Sequence, residues 1–464
     1  MGGHGTAGVP AALGCGRRPA LVTASENRHG REDFLARIPA VADVLPPARG
    51  PVNGVLRSAS TMPDLTLALV VLLGALAACR KPAALSPRPT PTTSPRVRIV
   101  VSEPAAPARE VEPGRPACPP DGDPLDRAER ALDGRDGSLA LACAEEALVL
   151  DPSSAAAEHD RALALASLGR VPEAKLAYVH ALALDPDDPD ILLGAADLYL
   201  QQAGGREEDE IALAYVRRGE RRARRRRPEL LEQLELLEGM AENDLGQSID
   251  GLPALEEALA RDPEDLDARY EHAVALFELC RFAEARTDLA RVLAALPDDA
   301  WAHHEMGLTL ERLGDTRGAR AELARATELS PKDFPAPLDV SPAEFARMVH
   351  EALAALPTGE KRDLAGVPVG AEDLPDLDDL TADDPPLSPT ILGLFRGGPV
   401  GAPDAGGPAG CPKTDRAIVL YRKNLLRTVR SRAELRDQVR LTLLHELGHL
   451  RGADDDELRL EGLE

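Results

Sequence analysis

Ser167 to Pro186 read SLGRVPEAKLAYVHALALDP, and Arg312 to Pro331 read RLGDTRGARAELARATELSP. Each has a glycine near its start, an alanine five residues after that glycine, and a closing proline. The prolines continue the pattern: Pro152 to Pro186, Pro263 to Pro297 and Pro297 to Pro331 are each 34 residues, and Pro186 to Pro263 is 77, two periods plus nine. Seventeen residues before the closing prolines stand Gly169, Gly246, Cys280 and Gly314, at the turn between two helical segments. Five after those turns come Ala174, Gly251, Ala285 and Ala319; ten after the prolines come Ala162, Ala196, Ala273 and Gly307. Small residues at fixed steps on paired helices are what close stacking demands.

This period resembles the tetratricopeptide repeat, over about six units in residues 121–333. In the first unit Ala128, Ala140 and Ala147 keep the small positions. In the third, nine extra residues fall in or near the second helix, within GGREEDEIALAYVRRGERRARRRRPEL. The resemblance implies a helical solenoid whose concave groove binds a protein or peptide ligand. The arginine run Arg217 to Arg227 is read as a solvated helix face, neutralised in part by Glu207 to Glu210, with acidic partners or anionic headgroups as the alternative.

A second pattern governs the other end of the chain. Leu441 to Asp456 read LTLLHELGHLRGADDD, in which His445, Glu446 and His449 spell HExxH. Residues four apart on a helix lie on one face, so the two imidazoles can hold one Zn2+ between them. Glu446 then points at the open position, as a general base for a bound water. Gly452 can end the helix in the left-handed conformation and return a carboxylate to the metal. Asp455 has the right spacing, and its neighbours Asp454 and Asp456 leave the choice open by one residue.

Between the repeats and this motif the pattern is that of a separate domain, 341–464. Ser341 with Glu344, and Ser431 with Glu434, are capping pairs for two helices. LAGVPV near Leu364 reads as a short strand, Glu372 to Pro386 as loop, and AIVLYR from Ala417 as a strand. Leu435, Val439, Thr442 and Leu443 give the last long helix a buried side. SPAEFARMVHEAL, ILGLFRG, DRAIVLYRKNL and HELGHLRGADDDEL together resemble the bacterial zincin-like metallopeptidases, a minimal matrix-metalloproteinase-like domain. That resemblance implies zinc on His445, His449 and Asp455, Glu446 as general base, and a peptide substrate added to the sheet edge beside the metal helix. Tyr421 is a conceivable oxyanion donor, although a strand tyrosine more often packs. The fold class expected for the whole is mainly α, a tetratricopeptide solenoid followed by a small α+β domain.

The chain of 464 residues has room for both. A formal net charge of -24 and only 3% aromatic residues argue against nucleic acid as a main partner. Residues 1–61, rich in Gly, Ala, Arg and Pro, read as disordered or not translated, with Met62 as an alternative start. Leu65 to Ala78 is an apolar run of fourteen, too short to span a bilayer but suited to a signal peptide, giving a segment 62–79. Its end, Leu76-Ala77-Ala78-Cys79, resembles a bacterial lipobox, which implies a lipid on Cys79 and an exported, membrane-anchored protein. The proline-rich stretch 80–120 reads as a tether. The six cysteines form no CxxC, and Cys118 and Cys143 are either a disulfide or two separate thiols. Two functions remain open: a tethered zinc peptidase served by its solenoid, or an adaptor lipoprotein whose zincin domain binds zinc with little or no hydrolysis.

Overall fold

The computed structural model describes residues 116–203, 205–382, 384–397 and 416–463. The expected disordered segment, signal peptide, Cys79, most of the tether and the glycine-rich stretch after Gly397 lie outside them.

Six antiparallel helix pairs make the solenoid. They are α1 (Pro124–Asp133) with α2 (Gly137–Leu150), α3 (Ala155–Ser167) with α4 (Val171–Leu184), α5 (Pro189–Leu198) with α6 (Arg206–Arg226), α7 (Leu231–Asp244) with α8 (Ser248–Arg261), α9 (Leu266–Glu278) with α10 (Phe282–Ala295), and α11 (Ala300–Arg312) with α12 (Thr316–Leu329). The turns inside four pairs hold Gly169, Gly246, Cys280 and Gly314 at φ between 58° and 81°, the left-handed region. Arg135 does the same in the first pair at φ 57°, while its neighbour Gly134 stays at φ -76°, so the left-handed position there is not the glycine. The small positions are packed: Ala162, Ala174, Ala196, Ala273 and Ala285 are fully buried. A Cβ on Gly307 would come within 2.6 Å of Leu323, and one on Gly251 within 2.7 Å of the Glu242 side chain. The insertion lengthens α6 to 21 residues, against 14 for α4 and α8.

The arginines of α6 are neutralised mainly by acids outside that helix, and the partial neutralisation expected from Glu207 to Glu210 is not what pairs them. Arg218 and Arg222 pair with Asp187, Arg227 with Asp190, and Arg217 with Glu238 and Glu242. Acids one helix away in space lie 20 or more residues away in sequence, so charge proximity along the chain pointed to the wrong partners.

Cys118 and Cys143 form a disulfide that staples the segment before α1 to α2. Closing a loop of this length stabilises by about 3 kcal/mol. Cys118→Ser is therefore expected to loosen the first repeat alone, read as faster hydrogen exchange in 116–150 with α7 to α12 unchanged.

The C-terminal domain follows a short connection. Its elements are α13 (Pro342–Ala355), α14 (Thr358–Asp363), β1 (Val369–Glu372), α15 (Leu377–Leu380), β2 (Gly393–Arg396), β3 (Ala417–Tyr421), α16 (Arg422–Thr428), α17 (Arg432–Arg451) and α18 (Asp455–Leu460). The sheet order is β1-β3-β2, with β1 parallel and β2 antiparallel to β3. Side chains alternate across a strand. Ile418 and Leu420 accordingly face a core with Leu435, Val439, Leu443 and Leu447 of α17, whereas Val419 and Tyr421 join Leu380, Leu387 and Leu394 in another. Two expectations shift: the first strand starts at Val369, the end of LAGVPV, and the acidic stretch 372–386 contains the single turn α15. AIVLY is a strand, as expected, and lies at the centre of the sheet. The edge against α17 is β2, from ILGLFRG.

Solenoid and domain are joined by charge and packing. Glu311 of α11 accepts from Lys423 at 2.8 Å and Arg427 at 2.5 Å of α16, and Cys280 packs against the Val419–Tyr421 core. No helix among the described residues is long and apolar enough to cross a membrane.

Candidate metal centre

The centre is built at the C-terminal end of α17. Ser431 caps its start by accepting from the Glu434 N–H at 3.2 Å. Leu435, Val439, Leu443 and Leu447 pin one stripe to the sheet, all fully buried. That leaves His445 and His449 one turn apart on another face. Gly452 ends the helix at φ 99°, a left-handed cap, and the chain turns back on itself. Asp454 then caps α18, accepting from the Glu457 N–H at 2.9 Å, which commits its carboxylate. Asp456 points outward, 84% exposed, toward Arg459. Asp455, between them, is the carboxylate that returns.

Its Oδ1 lies 3.4 Å from Nε2 of both His445 and His449. The two Nε2 atoms are 2.8 Å apart. His445 Nδ1 faces the Leu463 carbonyl at 2.8 Å, and His449 Nδ1 faces the Ala453 carbonyl at 2.9 Å. A carbonyl only accepts, so each Nδ1 carries the ring's proton and each Nε2 presents a bare lone pair. Two lone pairs and a carboxylate oxygen aimed at one point repel one another unless a cation sits among them. A nitrogen, nitrogen, oxygen donor set held from behind by backbone carbonyls suits zinc. The residues present therefore fit the metal that HExxH implies.

Glu446 is fully buried between α17 and β2. Burial holds its carboxyl well above the usual carboxylate range; the Phe395 backbone N–H on β2 pulls it down and the charge of Asp455 adds to the rise. Neither carboxylate oxygen has a hydrogen-bond partner within normal reach. Beside it, a Cβ on Gly393 would lie 2.8 Å from Glu446 Oε1 and 2.7 Å from Thr442 Cγ2. Gly393 thus makes the space that Glu446 occupies, a role unread in the sequence.

Tyr421 is not brought to this site. It is fully buried on the face of β3 away from α17, with its hydroxyl near the Arg396 guanidinium and not the histidines. Burial and the nearby Asp379 push its phenol up. Of the two readings of Tyr421, packing is the one the structure shows, and the oxyanion-donor role is ruled out by strand alternation: Leu420 and Ile418 face α17, so Tyr421 faces the other way.

Comparison with known proteins agrees with this anatomy. The zincin-like metallopeptidase family model matches residues 364–463. Tetratricopeptide-repeat models match 159–223, 240–300 and 302–333. The chain thus carries tetratricopeptide repeats and a C-terminal zincin-like metallopeptidase domain. Among solved structures, YrrB, described as a TPR protein with an unusual peptide-binding site, matches at 22% identity over 41% of this chain and 93% of its own, TM-score 0.33. PilW, a type IV pilus biogenesis factor, matches at 20% identity over 45% of this chain and 93% of its own, TM-score 0.39. PilF of Pseudomonas aeruginosa matches at 16% identity over 45% and 91%, TM-score 0.38. No curated protein matches the chain.

Proposed function

We propose that the chain is a zinc-dependent peptidase in which His445, His449 and Asp455 hold the metal and Glu446 is the general base. The observation that carries this reading is the convergence of the two bare imidazole nitrogens and Asp455 Oδ1 beside a buried, unpartnered glutamate. Zinc bound there supplies the Lewis acidity that makes water nucleophilic at neutral pH and polarises a peptide carbonyl. The chain's own residues do the rest. Glu446 takes the proton of the attacking water and hands it to the leaving amine. β2 has β3 on one side and, among the described residues, no strand on the other. Its free edge offers backbone N–H and C=O groups to an extended substrate beside Glu446.

The repeats supply recruitment: a solenoid joined to the domain through Glu311 selects a protein or peptide partner. We place the protein on the exported side of a bacterial membrane, anchored through Cys79. The Cys118–Cys143 disulfide supports an oxidising compartment.

Removing the metal with a chelator and restoring zinc tests the reading. Peptide cleavage is expected to vanish and to return at one zinc per chain; cleavage indifferent to the chelator sinks it. Gly393→Ala offers a finer check. It displaces Glu446 without touching a ligand, so kcat/KM is expected to fall about 10²-fold with zinc content unchanged.

A further inference from the structure

His445 and Asp455 line a cavity of about 1410 Å³, and so do residues of α7, α8, α9, α11 and α12. The repeats and the His445–Asp455 side of the candidate metal centre therefore border one space, while His449, Glu446 and β2 do not line it. It exceeds the roughly 300–1,000 Å³ of a small-molecule site, a size that suits a polymer.

Its solenoid wall carries two kinds of recognition group. The first is aromatic: Trp301 meets Phe334 edge-on with ring centroids 4.8 Å apart, and His304 stacks on Phe334 at 4.4 Å. Burial, with Arg427 adding, pushes the His304 imidazole down to about 3, so it is a neutral ring at working pH. The second is polar. Asn243 and Ser248 line the same cavity, are 4% and 3% exposed, and carry an Oδ1 and an Oγ without hydrogen-bond partners. Asn243 is held by its amide nitrogen, which donates to the Glu271 carbonyl at 3.0 Å, so its oxygen is oriented and spare. A buried, oriented acceptor without a donor is costly unless a ligand supplies one.

We propose that this cavity is the substrate channel for an extended polypeptide segment bearing an aromatic side chain, which packs against Trp301, His304 and Phe334 while Asn243 and Ser248 bond the segment's backbone. Rings meeting edge-on or offset at such distances add attraction beyond burial alone, so the aromatic residue sets specificity from the solenoid side. The inference deepens the peptidase reading and rests on it for the bond that is cut. Binding itself does not require that reading, because the recognition groups belong to the repeats and to Phe334 directly after them, not to the metal centre.

Trp301 is the sole tryptophan of the chain, so its emission reports on the cavity. The test uses the zinc-loaded, full-length Glu446→Gln protein and twelve-residue peptides that differ only by Phe or Ala at one position. The Phe peptide is expected to change Trp301 emission saturably, with a Kd about 10-fold below that of the Ala peptide. In Phe334→Leu, which keeps an apolar side chain and removes the ring, that preference is expected to disappear; in Ser248→Ala both peptides are expected to weaken together. Equal affinities for the two peptides, or a preference unchanged in Phe334→Leu, overturn the proposal. So does emission that follows protein concentration, which gives the cavity to a second copy, or emission shielded from iodide until residues 1–115 are removed, which gives it to the chain's own N-terminal segment. Phe-dependent binding with no cleavage by the unmutated chain sinks the peptidase reading and leaves the channel standing. Cleavage with Phe-independent binding sinks the channel alone.

Discussion

Glu446→Gln is expected to lower peptide cleavage by about 10²- to 10⁴-fold, the range for losing a positioned general base. The substitution keeps the shape of the side chain and removes its ability to hold a proton, so fold and metal content are expected to stay as they were. Its site makes this a sharp comparison. The carboxylate is enclosed by α17 and β2, and its one polar neighbour is the Phe395 N–H, at the limit of hydrogen-bond reach. An amide of equal size keeps an oxygen that can face that N–H, so the exchange disturbs little of the structure. A fall in kcat with KM and zinc stoichiometry constant is the signature of a proton-transfer role; a fall in zinc content or melting temperature would instead make Glu446 a structural residue.

Asp455→Ala is expected to lower zinc affinity by more than the roughly 10- to 100-fold that outer-shell changes cost, whereas Asp454→Ala and Asp456→Ala stay within that outer range. The three neighbours have three different occupations. Asp454 is the cap of α18, so its loss frays a helix at a cost of about 1 kcal/mol. Asp456 is exposed beside Arg459, where an ion pair contributes little. Only Asp455 reaches both histidines at 3.4 Å. Competition with a zinc-binding dye across the three variants checks this; equal retention in all of them removes Asp455 from the ligand set.

How far these features could be read in advance depended on how local their causes are. The repeat was legible because stacking imposes a fixed period and small residues at fixed steps, so arithmetic on prolines, glycines and alanines found the helix pairs. The first pair's turn escaped because Arg135 takes the left-handed conformation usually left to glycine. The histidines, Glu446 and Asp455 were legible for a similar reason, since helical geometry and one glycine cap bring them together within eleven residues. What the site borrows from elsewhere was not. The Leu463 carbonyl behind His445 and the space made by Gly393 exist only after the sheet and the C-terminal turn are placed. Sheet order was not legible: four- and five-residue strands carry no signal of their neighbours, so nothing in the sequence makes AIVLY the central strand or β2 the edge against α17. Apolar LGLF ahead of a glycine-rich stretch was the available hint of β2.

The most direct measurement is mass-spectrometric analysis of an unbiased peptide library incubated with the zinc-loaded full-length chain and, in parallel, with Glu446→Gln. Cleavage products are expected with the unmutated chain and absent, or reduced at least 10²-fold, with the variant. Stoichiometric zinc in both proteins with no peptide cut by either would contradict the peptidase account and leave a zinc-binding adaptor in its place.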